Sequence, residues 1–169
     1  MKGYIQVYTG DGKGKTSAAL GLAVRALGRG KKVCIVQFMK GMETGEVLFF
    51  ERIPGIVIQQ FGSGEFVKTA IEEEKKLAHQ ALDHAREQMV SGSFDVIILD
   101  EINVAMDLQL LEVPAVMEFL KQKPERVEVV LTGRNAPKEI LEIADLVTEM
   151  REVKHYYKKG VEAREGIEF

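Results

Sequence analysis

The chain has 169 residues, of which 46% are hydrophobic, and it carries a formal net charge of -3. This length and apolar content predict one domain, residues 1–169, with a buried core. The net negative charge argues against a nucleic-acid partner, because proteins that bind nucleic acids usually carry a basic stripe on their surface. No run approaches the roughly 18 consecutive apolar residues that span a bilayer. Because the sequence opens on a strand pattern, we expect no signal peptide, no membrane partner and a cytoplasmic location.

Apolar runs separated by helical patterns dominate the chain. The predicted strands are Tyr4–Tyr8, Lys32–Phe38, Ile56–Phe61, Phe94–Asp100, Val127–Thr132 and Leu146–Met150. Several are nearly continuous in Val, Ile, Leu and Phe, as in parallel strands that are covered on both faces. The predicted helices are Thr16–Leu27, Glu72–Val90, Pro114–Lys121 and Pro137–Ile143. This alternation predicts a three-layer α/β fold with a mostly parallel sheet.

Three smaller features carry expectations of their own. Glycine-rich loops at residues 41–45 and 62–66 follow strands, which is where ligands bind in such sheets. The charged run 72–76 is typical of a solvated helix face. Cys34, the only cysteine, lies inside an apolar strand and is predicted to be a buried thiol.

The strongest chemical signal follows the first strand. The segment Thr9–Thr16 ends in Gly-Lys-Thr and leads into a predicted helix, which is the context of a phosphate-binding loop. Glycines let backbone N–H groups approach phosphate oxygens, and the helix N-terminus adds the positive end of its dipole. Lys15 adds a full charge and Thr16 offers a hydroxyl to Mg²⁺. The predicted nucleotide-binding residues here are Thr9, Gly10, Asp11, Gly12, Lys13, Gly14, Lys15, Thr16 and Ser17.

A second signal is the pair of acids at the end of the fourth strand. Asp100 and Glu101 resemble a Walker B element, in which a carboxylate holds Mg²⁺ directly or through water. A solvated charge pair has the same sequence, so this interpretation depends on the upstream phosphate loop. We predict Thr16, Asp100 and Glu101 as metal ligands. Arg134, just after the fifth strand, either reaches a phosphate or ribose or is an ordinary solvated arginine.

Together these motifs resemble the ATP:corrinoid adenosyltransferases that carry a phosphate loop. The resemblance extends over nearly the whole chain, and Thr9, where other phosphate loops have glycine, is this family's form. The segments that carry it are Tyr8–Thr16, Ala18–Ala19, Arg25–Gly28, Val36–Gly41, Gly45–Glu46, Leu99–Asn103, Leu131–Arg134 with Pro137, Ala144–Met150, Val153–His155, Gly160–Arg164 and Gly166–Phe169.

The resemblance implies transfer of the 5′-deoxyadenosyl group of ATP to the cobalt(I) of cobalamin or a related corrinoid, with release of triphosphate. The implied catalytic residues are Lys15 and Glu101, and the implied further nucleotide ligands are Lys13, Lys40, Glu46 and Arg134. It also implies a RecA-like fold of about six strands, with the strand ending at Thr132 between the phosphate-loop strand and the Asp100 strand. A homodimer and a flavoprotein or ferredoxin-type reductant are implied as partners.

The corrinoid side departs from the family pattern in two ways. Members often carry an N-terminal helical extension, whereas this sequence begins at its first predicted strand. Members also often have a tryptophan-containing loop after the third strand, and this chain has no tryptophan. Phe61 and Phe66 of that loop are the aromatic candidates for the corrin face, unless both fill the core.

Two other functions remain open on the sequence. In a P-loop ATPase, Glu101 would activate water against the γ-phosphate. In a non-catalytic sensor, nucleotide and corrinoid would bind without turnover. A GTPase is disfavoured because the chain has no Asn-Lys-x-Asp guanine motif.

Overall fold

The strands assemble into one six-stranded parallel sheet in the computed structural model, which describes residues 2–64 and 71–169. They are β1 (Ile5–Thr9), β2 (Val33–Phe38), β3 (Ile56–Phe61), β4 (Val96–Asp100), β5 (Glu128–Thr132) and β6 (Leu146–Glu149). The order across the sheet is β3-β2-β4-β5-β1-β6, and every neighbouring pair is parallel. The RecA-like α/β fold is therefore confirmed, as is the position of β5 between β1 and β4.

Helices cover both faces of this sheet. They are α1 (Lys15–Leu27), α2 (Gly45–Phe50), α3 (Ile71–Val90), α4 (Ile102–Asp107), α5 (Val113–Lys121) and α6 (Lys138–Ile143), followed by a 3-10 helix at Tyr156–Lys159. Side chains alternate between the faces along each strand. In β2, Val33 and Ile35 pack with α1 and α2, whereas Cys34 and Val36 pack with α3, α4 and α5. The central strands thus have two apolar faces, as their continuous apolar runs predict.

The edge strand β6 differs from this pattern. All four of its residues are exposed, including Leu146 at 44% and Val147 at 45%. Among the residues that the structure describes, it pairs only with β1, so one side of the strand has no neighbour there. An apolar run of four or five residues looks the same at the edge of a sheet as in its centre.

Two short helices and the 3-10 helix were not predicted. Helices α2 and α4 have six residues each, which is too short for a 3.6-residue period to be recognised. Gly45, assigned to a loop in the sequence, is the first residue of α2. Among residues 2–64 and 71–169, no helix has the length and apolar content that crossing a bilayer requires.

The predicted aromatic loop after β3 is only partly described. Phe66 lies outside the described residues. Phe61 ends β3 and packs against the core, with its ring centroid 5.6 Å from that of His84. Its packing is that of a core residue.

Two predictions about burial have opposite outcomes. Cys34 is fully buried, and burial raises the pKa of its thiol to about 12, so the prediction of a core thiol is confirmed. The solvated face predicted for residues 72–76 is wrong at Glu74, which is 1% exposed. Its carboxylate accepts hydrogen bonds from the backbone N–H (2.8 Å) and the hydroxyl (2.6 Å) of Ser63.

Candidate active site

A cavity of about 760 Å³ lies at the carboxyl ends of the strands, where the sequence analysis places the site. It brings together most of the predicted nucleotide and metal ligands. Those that line it are Gly12, Lys13, Gly14, Lys15, Thr16, Ser17, Lys40, Glu46, Glu101 and Arg134. Thr9, Gly10, Asp11 and Asp100 do not line it. Asp11 instead borders a neighbouring cavity of about 470 Å³, which Arg134 also reaches.

The phosphate loop is closed around its own lysine. Lys15 Nζ donates to the carbonyl oxygens of Gly10 (2.7 Å) and Gly12 (2.8 Å), and the residue is 7% exposed. This burial lowers the pKa of the Lys15 ammonium. Gly10 and Gly14 have φ values of 92° and 117°, a left-handed region that glycine enters without strain. The loop therefore presents a charged, preorganised cradle to the cavity.

Two loop glycines pack closely against the backbone at the end of β6. The Gly12 N–H donates to the carbonyl oxygen of Met150 at 2.7 Å. A Cβ atom at Gly10 would lie 2.5 Å from that oxygen, and one at Gly12 would lie 2.8 Å from it. The backbone at the end of β6 thus approaches too closely for any side chain at these positions.

Asp100 accepts two hydrogen bonds at each of its carboxylate oxygens. Its Oδ1 accepts from the hydroxyls of Thr16 (2.9 Å) and Thr132 (2.7 Å). Its Oδ2 accepts from Lys40 Nζ (2.8 Å) and Gln37 Nε2 (3.0 Å). Burial alone would raise the pKa of this carboxyl, but the Lys40 charge and the hydrogen bonds outweigh it, so the pKa is lowered. At 1% exposure, Asp100 is a buried anion with one cationic partner and three neutral donors.

The cation of this cluster, Lys40, bridges two acids. Its Nζ lies 2.8 Å from Asp100 and 3.5 Å from Glu46. Burial alone would lower its pKa, but the Asp100 carboxylate outweighs that effect and raises it. Gln37 completes the cluster, because its amide donates to Glu46 at 3.0 Å as well as to Asp100.

Glu101 follows Asp100 directly in the sequence, but its carboxylate is not hydrogen-bonded to the Asp100 cluster. Its backbone is left-handed (φ 66°), and its N–H donates to the Thr132 hydroxyl at 2.9 Å. Its carboxylate faces the cavity and accepts no hydrogen bond from the residues that the structure describes. Burial, followed by the negative charge of Asp100, raises the pKa of Glu101. A desolvated carboxylate without a donor is suited to a bound cation.

The donor set fits a Mg²⁺ ion that is shared with a substrate. Within the described ranges, no group of three or more His, Cys, Asp or Glu side chains is placed to hold a metal. Mg²⁺ bound to nucleotides, however, takes only one or two carboxylates together with phosphate oxygens and water. Glu101 supplies such a carboxylate. The Thr16 hydroxyl donates a hydrogen bond to Asp100, so the lone pairs of its oxygen remain available for a cation.

The end of the chain also lines the cavity. We call residues 153–169 the tail segment. His155, Gly166, Ile167, Glu168 and Phe169 form one side of the cavity, next to the phosphate loop. Lys13 Nζ contacts the tail through the Glu168 carboxylate (2.5 Å), the Tyr156 hydroxyl (2.8 Å) and the Ile167 carbonyl oxygen (3.3 Å).

The whole chain, residues 1–169, matches the family model described as ATP:corrinoid adenosyltransferase BtuR/CobO/CobP. The chain belongs to this family. It is 40% identical to a corrinoid adenosyltransferase of Sinorhizobium sp, over 99% of this chain and 81% of that protein. It is 39% identical to the corrinoid adenosyltransferase of Escherichia coli (strain K12), over 99% of this chain and 86% of that protein. The corrinoid adenosyltransferase CobA of Salmonella typhimurium is 37% identical, over 99% of this chain and 86% of that protein. The protein is therefore a transferase.

Sequence reasoning missed several residues of this adenosyltransferase site. Gln37 and Thr132 carry hydrogen bonds of the Asp100 cluster, and the tail segment forms a side of the cavity. Gln37, Thr132 and the tail all occur in segments that resemble the family pattern, which is the signal that was available. Nothing in the local sequence indicates that Lys13 contacts a residue 155 positions further along the chain.

Proposed function

We propose that the protein transfers the 5′-deoxyadenosyl group of ATP to the cobalt(I) of a corrinoid substrate and releases triphosphate. The observation that carries this proposal is the shared cavity. In a chain of the ATP:corrinoid adenosyltransferase family, a phosphate loop and an acidic strand end face the same space of about 760 Å³.

The proposed step is a substitution at the ribose C5′ carbon. Cobalt(I) of the substrate attacks with its electron pair, the Co–C5′ bond forms, and the C5′–O bond breaks. The triphosphate leaves with the electrons of that bond and with a high negative charge. Catalysis then depends on positioning and on charge stabilisation. Lys15 and the free amides at the start of α1 supply the positive side of the cavity.

The acids divide into two roles in this proposal. Glu101 and the Thr16 oxygen would hold Mg²⁺, which when bound neutralises charge on the triphosphate. Asp100 orients the Thr16 hydroxyl by accepting a hydrogen bond from it, and Lys40 keeps Asp100 ionised. Of the two predicted acids, Glu101 would bind the metal directly, and the buried Asp100 would position Thr16 beside it.

Further nucleotide contacts are proposed for the cavity's remaining charged groups. Arg134 is exposed at the cavity and is free to turn toward phosphate oxygens. Lys40 and Glu46 line the same cavity, and Lys40 and Thr16 of the phosphate loop both bond the Asp100 carboxylate. The family resemblance supports a cytoplasmic homodimer, with a flavoprotein or ferredoxin-type donor of the electron that produces cobalt(I).

Product analysis tests the proposal. The protein is incubated without oxygen with ATP, Mg²⁺ and chemically reduced cobalamin. We expect the absorption spectrum of a Co–C bond and one triphosphate per product. ADP and phosphate without a Co–C bond would instead identify an ATPase, in which Glu101, with its raised pKa, activates water.

Lys15→Ala is expected to remove most of the nucleotide affinity. A charge-assisted contact to phosphate is worth roughly 1.5–3 kcal/mol. The fold is expected to persist, because Lys15 Nζ bonds only loop carbonyls. Calorimetric titration with MgATP measures the loss, with Lys76→Ala on the exposed face of α3 as the charge-matched control. Equal affinities of the two variants would refute the assignment of the loop.

A further inference from the structure

The tail segment is held by a small polar cluster. Glu168 accepts from Lys13, from the Tyr156 hydroxyl and from the Arg164 backbone N–H (2.8 Å) and Nε (3.3 Å). Lys13 and Arg164 also lie over the Tyr156 ring, 5.5 Å and 4.9 Å from its centroid. The hydrogen bond from Lys13, followed by those from Tyr156 and Arg164, lowers the pKa of Glu168.

Outside this cluster the tail segment is joined to the preceding chain by the ion pair of Lys158 with Glu152. None of its residues is buried, and its half-buried residues are His155, Tyr156 and Glu168. The 3-10 helix likewise has no buried residue. Two of the three half-buried residues are members of the polar cluster. The place of the tail against the phosphate loop therefore depends on Lys13 and its partners.

We infer that Glu168 is a positioning residue for nucleotide binding, which holds the tail segment through Lys13 as one side of the nucleotide cavity. This inference rests on the proposed function for the identity of the ligand, ATP. Because the tail segment is already in place on one side of the cavity, nucleotide binding does not pay the entropic cost of ordering it. Preorganisation of this kind increases affinity.

Lys13 has an alternative role that predicts the opposite result. Its position inside the phosphate loop suggests a contact to phosphate, and Glu168 would then compete with the nucleotide for the ammonium. Removing Glu168 would tighten binding in that case. In the structure, however, all three Lys13 protons have an acceptor in the tail segment. The geometry therefore favours a tail that stays in place when the nucleotide is bound.

The test is Glu168→Gln in the full chain, with Glu165→Gln as its control. Glu165 is exposed in the same segment, and its side chain makes no hydrogen bond with the described residues. We expect the MgATP dissociation constant of Glu168→Gln to rise about twofold to fivefold, the upper part of the range for exposed ion pairs. The ratio of the two constants should fall toward one in about 1 M salt, where charges are screened beyond roughly 3 Å.

Two further measurements separate positioning from general stability. In turnover, Glu168→Gln should raise the KM for ATP with little change in kcat or in melting temperature. Without nucleotide, trypsin should cleave after Arg164 faster in Glu168→Gln than in Glu165→Gln. Unchanged or tighter MgATP binding by Glu168→Gln would overturn the inference. Failure of the unmodified protein to bind MgATP would overturn the proposed function instead, and the cleavage rates would still test the tail contact.

Discussion

Glu101→Gln is expected to reduce adenosyl transfer on the order of a hundredfold to a thousandfold and, at neutral pH, to raise the melting temperature. The loss of activity follows from removing a charge that would hold the cation on the triphosphate, an interaction worth several kcal/mol. The gain in stability follows from the raised pKa of Glu101. Its ionised form is destabilised in the folded protein by burial and by Asp100.

The pH dependence of this stability gain follows from the direction of the shift. Both folded and unfolded chains bind the Glu101 proton below the ordinary carboxyl pKa of about 4.3, so the variant and the parent should differ least there. As the pH rises through the higher pKa of the folded state, the parent loses stability that Glu101→Gln retains. Melting curves between pH 4 and pH 8 therefore measure the effect, and the gap should widen with pH.

Glu46→Gln is the matched control in the same cavity. Burial alone would raise the pKa of Glu46, but hydrogen bonds from Gln37 and the backbone and the Lys40 charge lower it. Its neutralisation should therefore reduce stability at neutral pH, the opposite sign from Glu101→Gln. Unchanged activity of Glu101→Gln, together with unchanged activity of the parent in excess chelator, would show that neither Glu101 nor Mg²⁺ takes part.

Asp100→Asn is expected to destabilise the fold by about 3–5 kcal/mol, the usual cost of removing one member of a buried ion pair. An amide offers one acceptor oxygen to the four donors that surround this position, and Lys40 keeps its charge without its closest partner. Urea unfolding at neutral pH measures the loss. Because the pKa of Asp100 is lowered, its contribution is present above the ordinary value of about 3.9 and is lost as the pH falls further.

A double variant isolates the role of charge in this loss. Asp100→Asn combined with Lys40→Met removes both ions, so part of the lost stability should return. Asp83→Asn, at an exposed position of α3, should change stability by less than about 0.5 kcal/mol. A loss below about 1 kcal/mol for Asp100→Asn would mean that solvent already screens this carboxylate, contrary to its burial.

The sheet could be predicted from sequence because its signals are local. Buried strands such as β2 and β4 are continuous apolar runs, and the helices α1 and α3 are long enough to show their period. The position of β5 between β1 and β4 came from the family resemblance rather than from the residues themselves, and the positions of the other strands were not predicted. Exposure was not predictable at β6, because the number of neighbouring strands is a property of the whole fold.

The parts of the site that could not be predicted depend on side-chain pairs far apart in sequence. Glu74 sits in a charged run, yet Ser63 of a separate loop makes its burial possible. The two acids at the end of β4 look equivalent, but the left-handed backbone of Glu101 turns its side chain to the cavity while Asp100 stays beneath it. Which of these groups binds nucleotide or metal remains a prediction that the proposed variants test.

The position of Cys34 gives this protein an internal reporter of its own unfolding. The Cys34 side chain lies on the sheet face that α3, α4 and α5 cover, so the lone thiol reaches solvent only when these helices separate from the sheet. Thiol reagents attack the thiolate, and with a pKa of about 12 the native thiol is also almost entirely protonated. The rate of Cys34 labelling at increasing urea therefore gives the free energy of exposing this face of the sheet, without an introduced probe. The same measurement applied to Asp100→Asn and Glu101→Gln would show whether each change acts on the centre of the fold.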